Sequence, residues 1–317
     1  MVRHLGIRHI LALVVFFAGL LSIYIGAFAI ICGRLVRMVR RKPAPPAGAW
    51  RRWLRRIILA AAAAGALCVA YAYFIEPYYL EVRYVQTYSP KLAVGCKPIR
   101  VVHVSDLHCE AKVRLEDRAA DEIASVAPDI IVYTGDSLNC VEGLSVCQKF
   151  LRRLADIAPT YCVRGNWDRY FPVDPFAGTG VTMLDGTDVS ITIRDTPVSL
   201  SGLDDVGGWT KGIAQPGDPS ALNIRLDHRP DLALEAADKG YDMYFAGHTH
   251  GGQVALPGYG ALITLSALGK RFEAGSYRVD KTFINVNRGL GIEGNMAPRV
   301  RFCARPEVTV VDVYPAR

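Results

Sequence analysis

A short apolar stretch that ends in metal-ligand side chains constrains this 317-residue chain more than any other feature. Residues 101–104 (Val-Val-His-Val) predict a buried strand, and Asp106 and His108 follow directly at its carboxyl end. Later segments repeat this arrangement, at 129–136, 161–166 and 242–250. Because open α/β sheets place their sites beyond the carboxyl ends of strands, we expect these side chains to converge.

Acidic, amide and imidazole side chains associated with these strand ends form the candidate site. They are Asp106, His108, Asp136, Asn166, His228, His248 and His250. Oxygen and imidazole ligands without a thiolate suit manganese, iron or zinc, whereas so many nitrogens disfavour magnesium and calcium. A carboxylate between two such sets can bridge two ions, which clamp a phosphate and generate a hydroxide between them. A lone histidine at a strand end is usually structural, but seven coincident positions favour a metal centre.

Residues 1–75 predict a membrane anchor with two transmembrane helices. Residues 10–32 contain no charged side chain, and this length exceeds the roughly 20 helical residues that cross a bilayer core. A second apolar segment, 57–74, is short and alanine-rich, so a signal-peptide core is an alternative to a retained helix. Tyrosines near its end favour the helix, because tyrosine is enriched at membrane interfaces: Tyr71, Tyr73, Tyr78 and Tyr79. Residues 76–97 are then predicted as a connector to a catalytic domain at 98–317.

A basic loop at 34–56 predicts the orientation of this anchor. Basic residues in short loops stay cytoplasmic, so we expect a multi-pass protein of the inner (cytoplasmic) membrane with an extracytoplasmic catalytic domain. Alternatively, the loop binds anionic lipid and carries no topological message, which leaves the cytoplasmic face open for the domain. A large share of the positive charge behind the net +7 lies before residue 57, beside the apolar segments, so we expect no nucleic-acid partner.

Strand and helix patterns alternate from Ile99 onward and predict an α/β domain. A largely parallel first half and hairpin-like later strands indicate two packed sheets with helices outside. The eight cysteines include no CxxC pair, which argues against a thiolate zinc site. Cys140 and Cys147 could form a disulfide if the domain is exported, and reduced structural thiols are the alternative.

The strand-end motifs resemble the four ordered signature blocks of the calcineurin-like metallophosphoesterases. They are Asp106-Leu107-His108, Gly135-Asp136, Gly165-Asn166-Trp167-Asp168 and Gly247-His248-Thr249-His250, and His228 matches the isolated histidine before the fourth block. The resemblance covers about residues 99–313 and implies a four-layer α/β/β/α sandwich. It implies one metal ion on Asp106, His108 and His250, and a second on Asn166, His228 and His248, with Asp136 bridging them. It also implies two divalent ions, with manganese expected and iron or zinc as alternatives, and catalytic roles for Asp136, Asn166 and His248.

An amino-terminal membrane segment before such a domain is similar to the transmembrane metallophosphoesterase branch. That branch includes bacterial enzymes resembling UDP-2,3-diacylglucosamine pyrophosphatases of lipid A synthesis. The resemblance implies a hydrolase of phosphoric ester or pyrophosphate bonds that uses a metal-bridging hydroxide. We expect membrane lipid and a lipid-linked or nucleotide-linked phosphate as partners, and no obligate protein partner. The alternatives are a broad-specificity envelope phosphodiesterase or phosphatase and a non-catalytic membrane-anchored scaffold.

The third block departs from the family pattern at Trp167, where the usual residue is a histidine taken to protonate the leaving oxygen. Tryptophan cannot donate that proton. An alkoxide benefits greatly from it, whereas a phosphate leaves as a stable anion, so the substitution favours a pyrophosphate or another good leaving group. Trp167 is predicted either to stack on a base or line a lipid groove, or else to be a packing residue. The candidates to contact a second phosphate are Arg164, Arg169 and Arg288.

Overall fold

The computed structural model of the protein describes residues 7–43, 46, 48–205, 212–294 and 298–316. The chain divides into two compact units, one ending at Phe74 and the other beginning at Ile75. The first unit contains two long helices, α1 (Ile7–Val39) and α2 (Ala49–Phe74). The stretches Leu13–Val39 and Ala49–Tyr78 are each long and apolar enough to span a membrane.

The basic segment predicted as a loop at 34–56 is largely helical. Helix α1 continues to Val39 and α2 begins at Ala49, so only residues 40–48 lie between the helices. Arginine has a high helix propensity, and a helix that leaves an apolar span can therefore continue through a basic stretch. The prediction of membrane orientation depends on where the basic residues lie along the chain. It is therefore the same whether those residues are in a loop or in a helix.

Two six-stranded sheets dominate the described part of the second unit. The first contains β1 (Glu81–Ser89), β2 (Ile99–Val104), β3 (Ile130–Tyr133), β4 (Thr160–Cys162), β5 (Thr182–Met183) and β14 (Glu307–Pro315), in the order β1-β14-β2-β3-β4-β5. The second contains β6 (Val189–Ile193), β7 (Thr196–Gly202), β8 (Leu222–Leu226), β9 (Met243–Ala246), β12 (Gly275–Val279) and β13 (Thr282–Val286), in the order β12-β13-β9-β8-β7-β6. A small hairpin joins β10 (Ala255–Leu256) to β11 (Gly260–Ala261), and the helices are α3 (Glu116–Ser125), α4 (Leu144–Ile157) and α5 (Ala233–Asp238).

Most neighbouring strands are parallel. Strands β2 to β5 pair in parallel in the first sheet, and β7, β8, β9 and β13 do so in the second. Antiparallel pairing is confined to β14 with β2 and to the edge hairpins β6–β7 and β12–β13 among the strands of these two sheets. The predicted parallel strands and late hairpins are both present.

The apolar core forms three layers that follow the alternation of side chains along the strands. Val101 of β2 shares a core with Ile224 of β8, so the two sheets face each other. The next residue, Val102, points to the opposite face and shares a second core with Ile123 of α3. Ala236 of α5 lies in a third core on the outer side of the second sheet. The predicted α/β/β/α order of layers is confirmed.

Residues 76–97, predicted as a connector, instead contribute a strand to the first sheet. Strand β1 pairs in parallel with β14 from Glu81 opposite Glu307 to Ser89 opposite Pro315. Its inward-facing Thr87 is buried, while the outward-facing Tyr88 is 53% exposed. In a typical half-buried strand the apolar side chains face the core and the polar ones face solvent. These two residues of β1 have the opposite arrangement, which is why the sequence pattern did not reveal the strand.

The cysteine pair left open by the sequence forms no disulfide. Cys140 is half-buried and Cys147 is fully buried in α4, and neither is bridged. Cys147 lies in the core that α3 and α4 share with the first sheet. It therefore acts as a small apolar core residue, in line with the alternative of reduced structural thiols.

Candidate metal centre

The candidate ligands all follow the carboxyl ends of parallel strands. Asp106 comes two residues after β2, and Asp136 comes three residues after β3. His228 and His248 each come two residues after the ends of the neighbouring strands β8 and β9. Because the two sheets face each other, the loops that leave them carry these side chains into one place.

Two groups of buried ligand atoms result. Asp106, His108 and His250 form the first group, and Asp136, His228 and His248 form the second; within each group the ligand atoms lie within 4.8 Å of one another. Throughout, we call these two groups the first and second metal positions.

In the first metal position, one nitrogen atom from each of two imidazole rings points inward. Nε2 of His108 lies 3.2 Å from Nε2 of His250, and the latter lies 3.4 Å from Oδ1 of Asp106. All three side chains are at most 4% exposed. Such a cluster of inward-facing nitrogen and oxygen atoms fits a cation of the manganese, iron or zinc type.

The second metal position has a similar geometry and includes the amide predicted to join it. Nε2 of His228 lies 3.1 Å from Nδ1 of His248, 3.1 Å from Oδ1 of Asn166 and 3.2 Å from Oδ2 of Asp136. The same Oδ2 of Asp136 lies 3.7 Å from Nε2 of His108 in the first position. Asp136 therefore faces both positions, and the structure brings all seven sequence-predicted ligands together.

Contacts on the outer side of three histidines test whether a metal fits. His108 donates from Nδ1 to Oδ1 of Asn139 at 2.9 Å, and His228 donates from Nδ1 to the Thr134 carbonyl at 2.7 Å. His248 donates from Nε2 to the carbonyl of Leu265 at 3.3 Å. A neutral imidazole carries one N–H, so these outer bonds leave the inner nitrogens as lone pairs for a metal. The donor set fits a dinuclear metal centre.

Strained backbone is concentrated at the same place. Five of the seven candidate ligands have a positive φ: Asp106 (48°), His108 (43°), Asp136 (60°), His248 (69°) and His250 (51°). A non-glycine residue in this conformation costs about 1 kcal/mol or more, and such residues cluster at functional sites. The fold therefore bears a stability cost to hold these side chains in place.

The buried carboxylates and histidines of the site shift one another's pKa values. Burial would raise the pKa of Asp136, but His228 and the other histidines hold it well below its usual range. Burial opposes protonation of His228, yet Asp136 and Asp106 raise its pKa to about 10. Burial lowers the pKa of His108 to about 4. The buried carboxylates thus require positive charge beside them, which a bound cation would also supply.

Trp167 and Asp168 both form hydrogen bonds with Asp136, the residue that faces both metal positions. The backbone N–H of Trp167 donates to Oδ1 of Asp136 at 2.8 Å, and its ring meets the His108 ring edge-on at 5.6 Å. Asp168 is 6% exposed and accepts the backbone N–H groups of Asp136, Ser137 and Gly165 at 3.0, 2.8 and 2.8 Å. Asp168 therefore ties the loop after β3 to the loop after β4.

Two of the three candidate arginines are already paired with carboxylates. Arg164 lies 2.9 Å from Asp204, and Arg288 lies 2.5 Å from Glu307 and 2.9 Å from Glu81. Arg169 is exposed and stacks over the Tyr170 ring at 5.0 Å, with no salt bridge to a carboxylate among the described residues. Of the three, Arg169 is the one whose charge is available to a substrate anion.

Some supporting groups were not predicted from the sequence. Asn139 orients His108, and its own amide is fixed because Nδ2 donates to the Ile292 carbonyl at 2.8 Å. Its position shortly after Asp136 was a usable signal, since polar residues beyond a strand end often serve the site. The Leu265 carbonyl left no signal, because every residue carries such a group.

Known proteins share both the domain and most of the chain length. Residues 99–257 match the calcineurin-like phosphoesterase superfamily domain. The metallophosphoesterase YkuE of Bacillus subtilis is 32% identical over 279 residues, which cover 82% of this chain and 96% of that protein. The phosphodiesterase YaeI of Escherichia coli is 29% identical, covering 82% of this chain and 98% of YaeI. UDP-2,3-diacylglucosamine pyrophosphatase LpxG of Chlamydia trachomatis is 26% identical, covering 78% and 94%.

Proposed function

Because this chain belongs to the calcineurin-like phosphoesterase superfamily, we propose that it hydrolyses a phosphodiester or pyrophosphate bond at the metal centre between its two sheets. The observation that carries the proposal is the pair of buried metal positions that meet at Asp136. Divalent ions held there would polarise a phosphoryl oxygen and lower the pKa of a coordinated water. Asp106, His108 and His250 would hold one ion and Asn166, His228 and His248 the other, with Asp136 shared.

The chain's own residues set the shape of this site. Asp136 is held in one orientation, because its Oδ1 accepts from Trp167 while its Oδ2 faces both metal positions. Fixed donors and ligands of this kind cost no reorganisation during the reaction, which is what makes electrostatic catalysis effective. The donor set suits manganese, iron or zinc, and manganese is our first candidate because of the family resemblance.

A substrate with a good leaving group fits the site best. Trp167 carries no proton that it can transfer to a leaving oxygen, and a phosphate leaving group does not need one. Arg169 and Tyr170 stand beside Trp167 and offer a cation and an aromatic surface to the leaving group. The likeness to LpxG and the two apolar helices favour a lipid-linked pyrophosphate, and our specific candidate is UDP-2,3-diacylglucosamine.

A second candidate is a phosphodiester of the cell envelope. The basic cluster between the apolar stretches favours an extracytoplasmic domain, whereas a UDP-linked precursor is made in the cytoplasm. The likeness to the phosphodiesterase YaeI supports this candidate as well. Protease treatment of intact spheroplasts separates the two, because an extracytoplasmic domain is cut there and a cytoplasmic one is cut only in inverted vesicles.

The activity test uses the full chain in detergent with added Mn²⁺. We expect manganese-dependent hydrolysis of bis-p-nitrophenyl phosphate or UDP-2,3-diacylglucosamine, and loss of that turnover in Asp136→Asn. Asp156→Asn is the matched control, because Asp156 is exposed on α4. If neither substrate is hydrolysed in the presence of manganese, the protein is a non-catalytic scaffold and not an enzyme. If Asp136→Asn retains turnover, a mechanism in which Asp136 is shared by two ions is excluded.

A further inference from the structure

Arg301 is a fully buried guanidinium next to the first metal position. Its Nη1 donates to the backbone carbonyl of His250 at 3.1 Å and to that of Ala304 at 3.0 Å. Its Nε donates to the carbonyl of Gly291 at 3.1 Å, and Nη2 donates to the carbonyls of Gly289, at 3.3 Å, and Gly291. One side chain thus contacts three loops: the loop after β9 at His250, the loop after β13 at Gly289 and Gly291, and the segment before β14 at Ala304.

The same guanidinium also contacts the ring of a metal ligand. Nη2 of Arg301, whose two N–H groups are directed at the carbonyls of Gly289 and Gly291, also lies 3.2 Å from Nδ1 of His250. The other three histidines of the centre donate their outer N–H to oxygen acceptors, whereas the outer side of the His250 ring faces this guanidinium. Arg301 therefore holds the backbone of His250 through its carbonyl and packs against the ring of the same residue.

A buried carboxylate completes this arrangement from the other side. Glu76, 1% exposed, follows shortly after α2 and accepts the backbone N–H groups of Cys303 and Ala304 at 2.9 and 2.6 Å. The carbonyl of Ala304 is in turn an acceptor for Arg301. A continuous set of hydrogen bonds therefore runs from Glu76 through Ala304 and Arg301 to His250.

We propose that Arg301 is the positioning residue of the first metal position, and that Glu76 holds the 301–304 segment in the place where Arg301 can act. The proposal rests on the proposed function only in requiring that the centre binds two ions. A lysine cannot replace Arg301, because a single ammonium cannot reach the ring and the surrounding carbonyls with the planar fork of a guanidinium. Loss of either residue leaves the second position intact, since the outer contacts of His228 and His248 involve neither.

The test counts manganese ions per chain in the full-length protein. Wild type is expected to bind two Mn²⁺ ions and to show the electron paramagnetic resonance spectrum of a coupled pair. Arg301→Lys is expected to bind the first-position ion at least about tenfold more weakly, leaving about one ion per chain and the six-line spectrum of isolated Mn²⁺. Glu76→Gln, which keeps the size of the side chain, is expected to cause a smaller loss in the same position.

Matched controls separate positioning from general destabilisation. Arg299→Lys changes an exposed arginine two residues away, and Glu142→Gln changes an exposed glutamate; both should keep two ions. Two tightly bound ions in both Arg301→Lys and Glu76→Gln would overturn the proposal, as would parallel weakening of both positions. Wild type that binds no pair of ions would overturn the proposed function along with it. If Arg301→Lys does not fold, the number of Mn²⁺ ions bound by Glu76→Gln decides whether the proposal holds.

Discussion

The backbone N–H of Trp167 donates a 2.8 Å hydrogen bond to Oδ1 of Asp136. This bond orients the carboxylate that faces both metal positions, and it does so without using the side chain at position 167. The residue that occupies this position can therefore change while the orientation of Asp136 is kept. We therefore expect the departure from histidine to alter the proton supply of the site while its support for metal binding is kept.

Trp167→His tests that separation. We expect hydrolysis of an alkyl phosphodiester, which has a poor leaving group, to accelerate by about tenfold or more, because the new imidazole can protonate the leaving oxygen. Hydrolysis of p-nitrophenyl esters should change little. Steady-state rates on the two substrate classes measure the effect, and Trp167→Phe serves as the control without a proton. Equal rates for Trp167→His and wild type on the alkyl ester would contradict this account.

Asp168→Asn removes an acceptor that serves three backbone N–H groups. An asparagine amide presents an NH₂ group to some of these donors, so we expect the free energy of unfolding to fall by about 2 kcal/mol. Affinity for Mn²⁺ should fall as well, because the loop that carries Asp136 loses its anchor. Denaturant unfolding and calorimetric titration with Mn²⁺ measure the two effects. Asp185→Asn, at an exposed position, should alter neither, and unchanged Mn²⁺ affinity in Asp168→Asn would limit Asp168 to stability.

His103 should make stability depend on pH. Burial lowers its pKa to about 3 from the ordinary 6.5, and its ring is held between Asn285 and Thr134 at 2.8 and 3.0 Å. As pH falls below 6.5 the unfolded chain binds a proton that the folded protein does not, so this residue removes about 1.4 kcal/mol of stability per pH unit down to about pH 3.

His103→Gln should remove that contribution. Urea unfolding between pH 7 and pH 4 is expected to show the variant gaining on wild type as the pH falls. A difference in free energy that stays constant across the series would show that His103 protonates in the folded protein.

Gly247→Ala should displace a metal ligand. A Cβ at Gly247 would overlap Oγ of Ser105 and Oδ2 of Asp106. We expect bound Mn²⁺ to fall to about one ion per chain and turnover to fall by about 100-fold, since small misplacements of reacting groups have large effects. Gly217→Ala is the control, because a Cβ added at Gly217 would lie 3.8 Å from Oδ2 of Asp188, an ordinary van der Waals contact. Full metal content in Gly247→Ala would mean that the loop relaxes around the methyl group.

The sequence was most informative where a side chain's chemistry and its place at a strand end coincided. Asp106 and Asp136 follow short β-branched runs, so both the strands and the ligands could be predicted from local pattern. Contacts that come from distant segments of the chain could not be predicted in this way. Arg288 was a candidate for substrate contact, and only the fold reveals that Glu81, more than two hundred residues earlier, neutralises it.

Polar residues that face inward were the other source of error. Thr87 and Ser89 of β1 are buried although they are polar, and Arg301 is buried among backbone carbonyls. Sequence patterns assign such residues to the surface, because burial of a polar group is favourable only when partners are present. The partners here come from loops that the linear pattern does not connect.

The position of β14 between β1 and β2 has a consequence for biogenesis. Strand β1 has to wait for its partner β14, which the ribosome makes after every other described strand of that sheet. Until β14 is made, β1 and β2 each expose an edge without its partner, and such unpaired edges are prone to pair with other chains. Assembly of this sheet is thereby coupled to synthesis of β14.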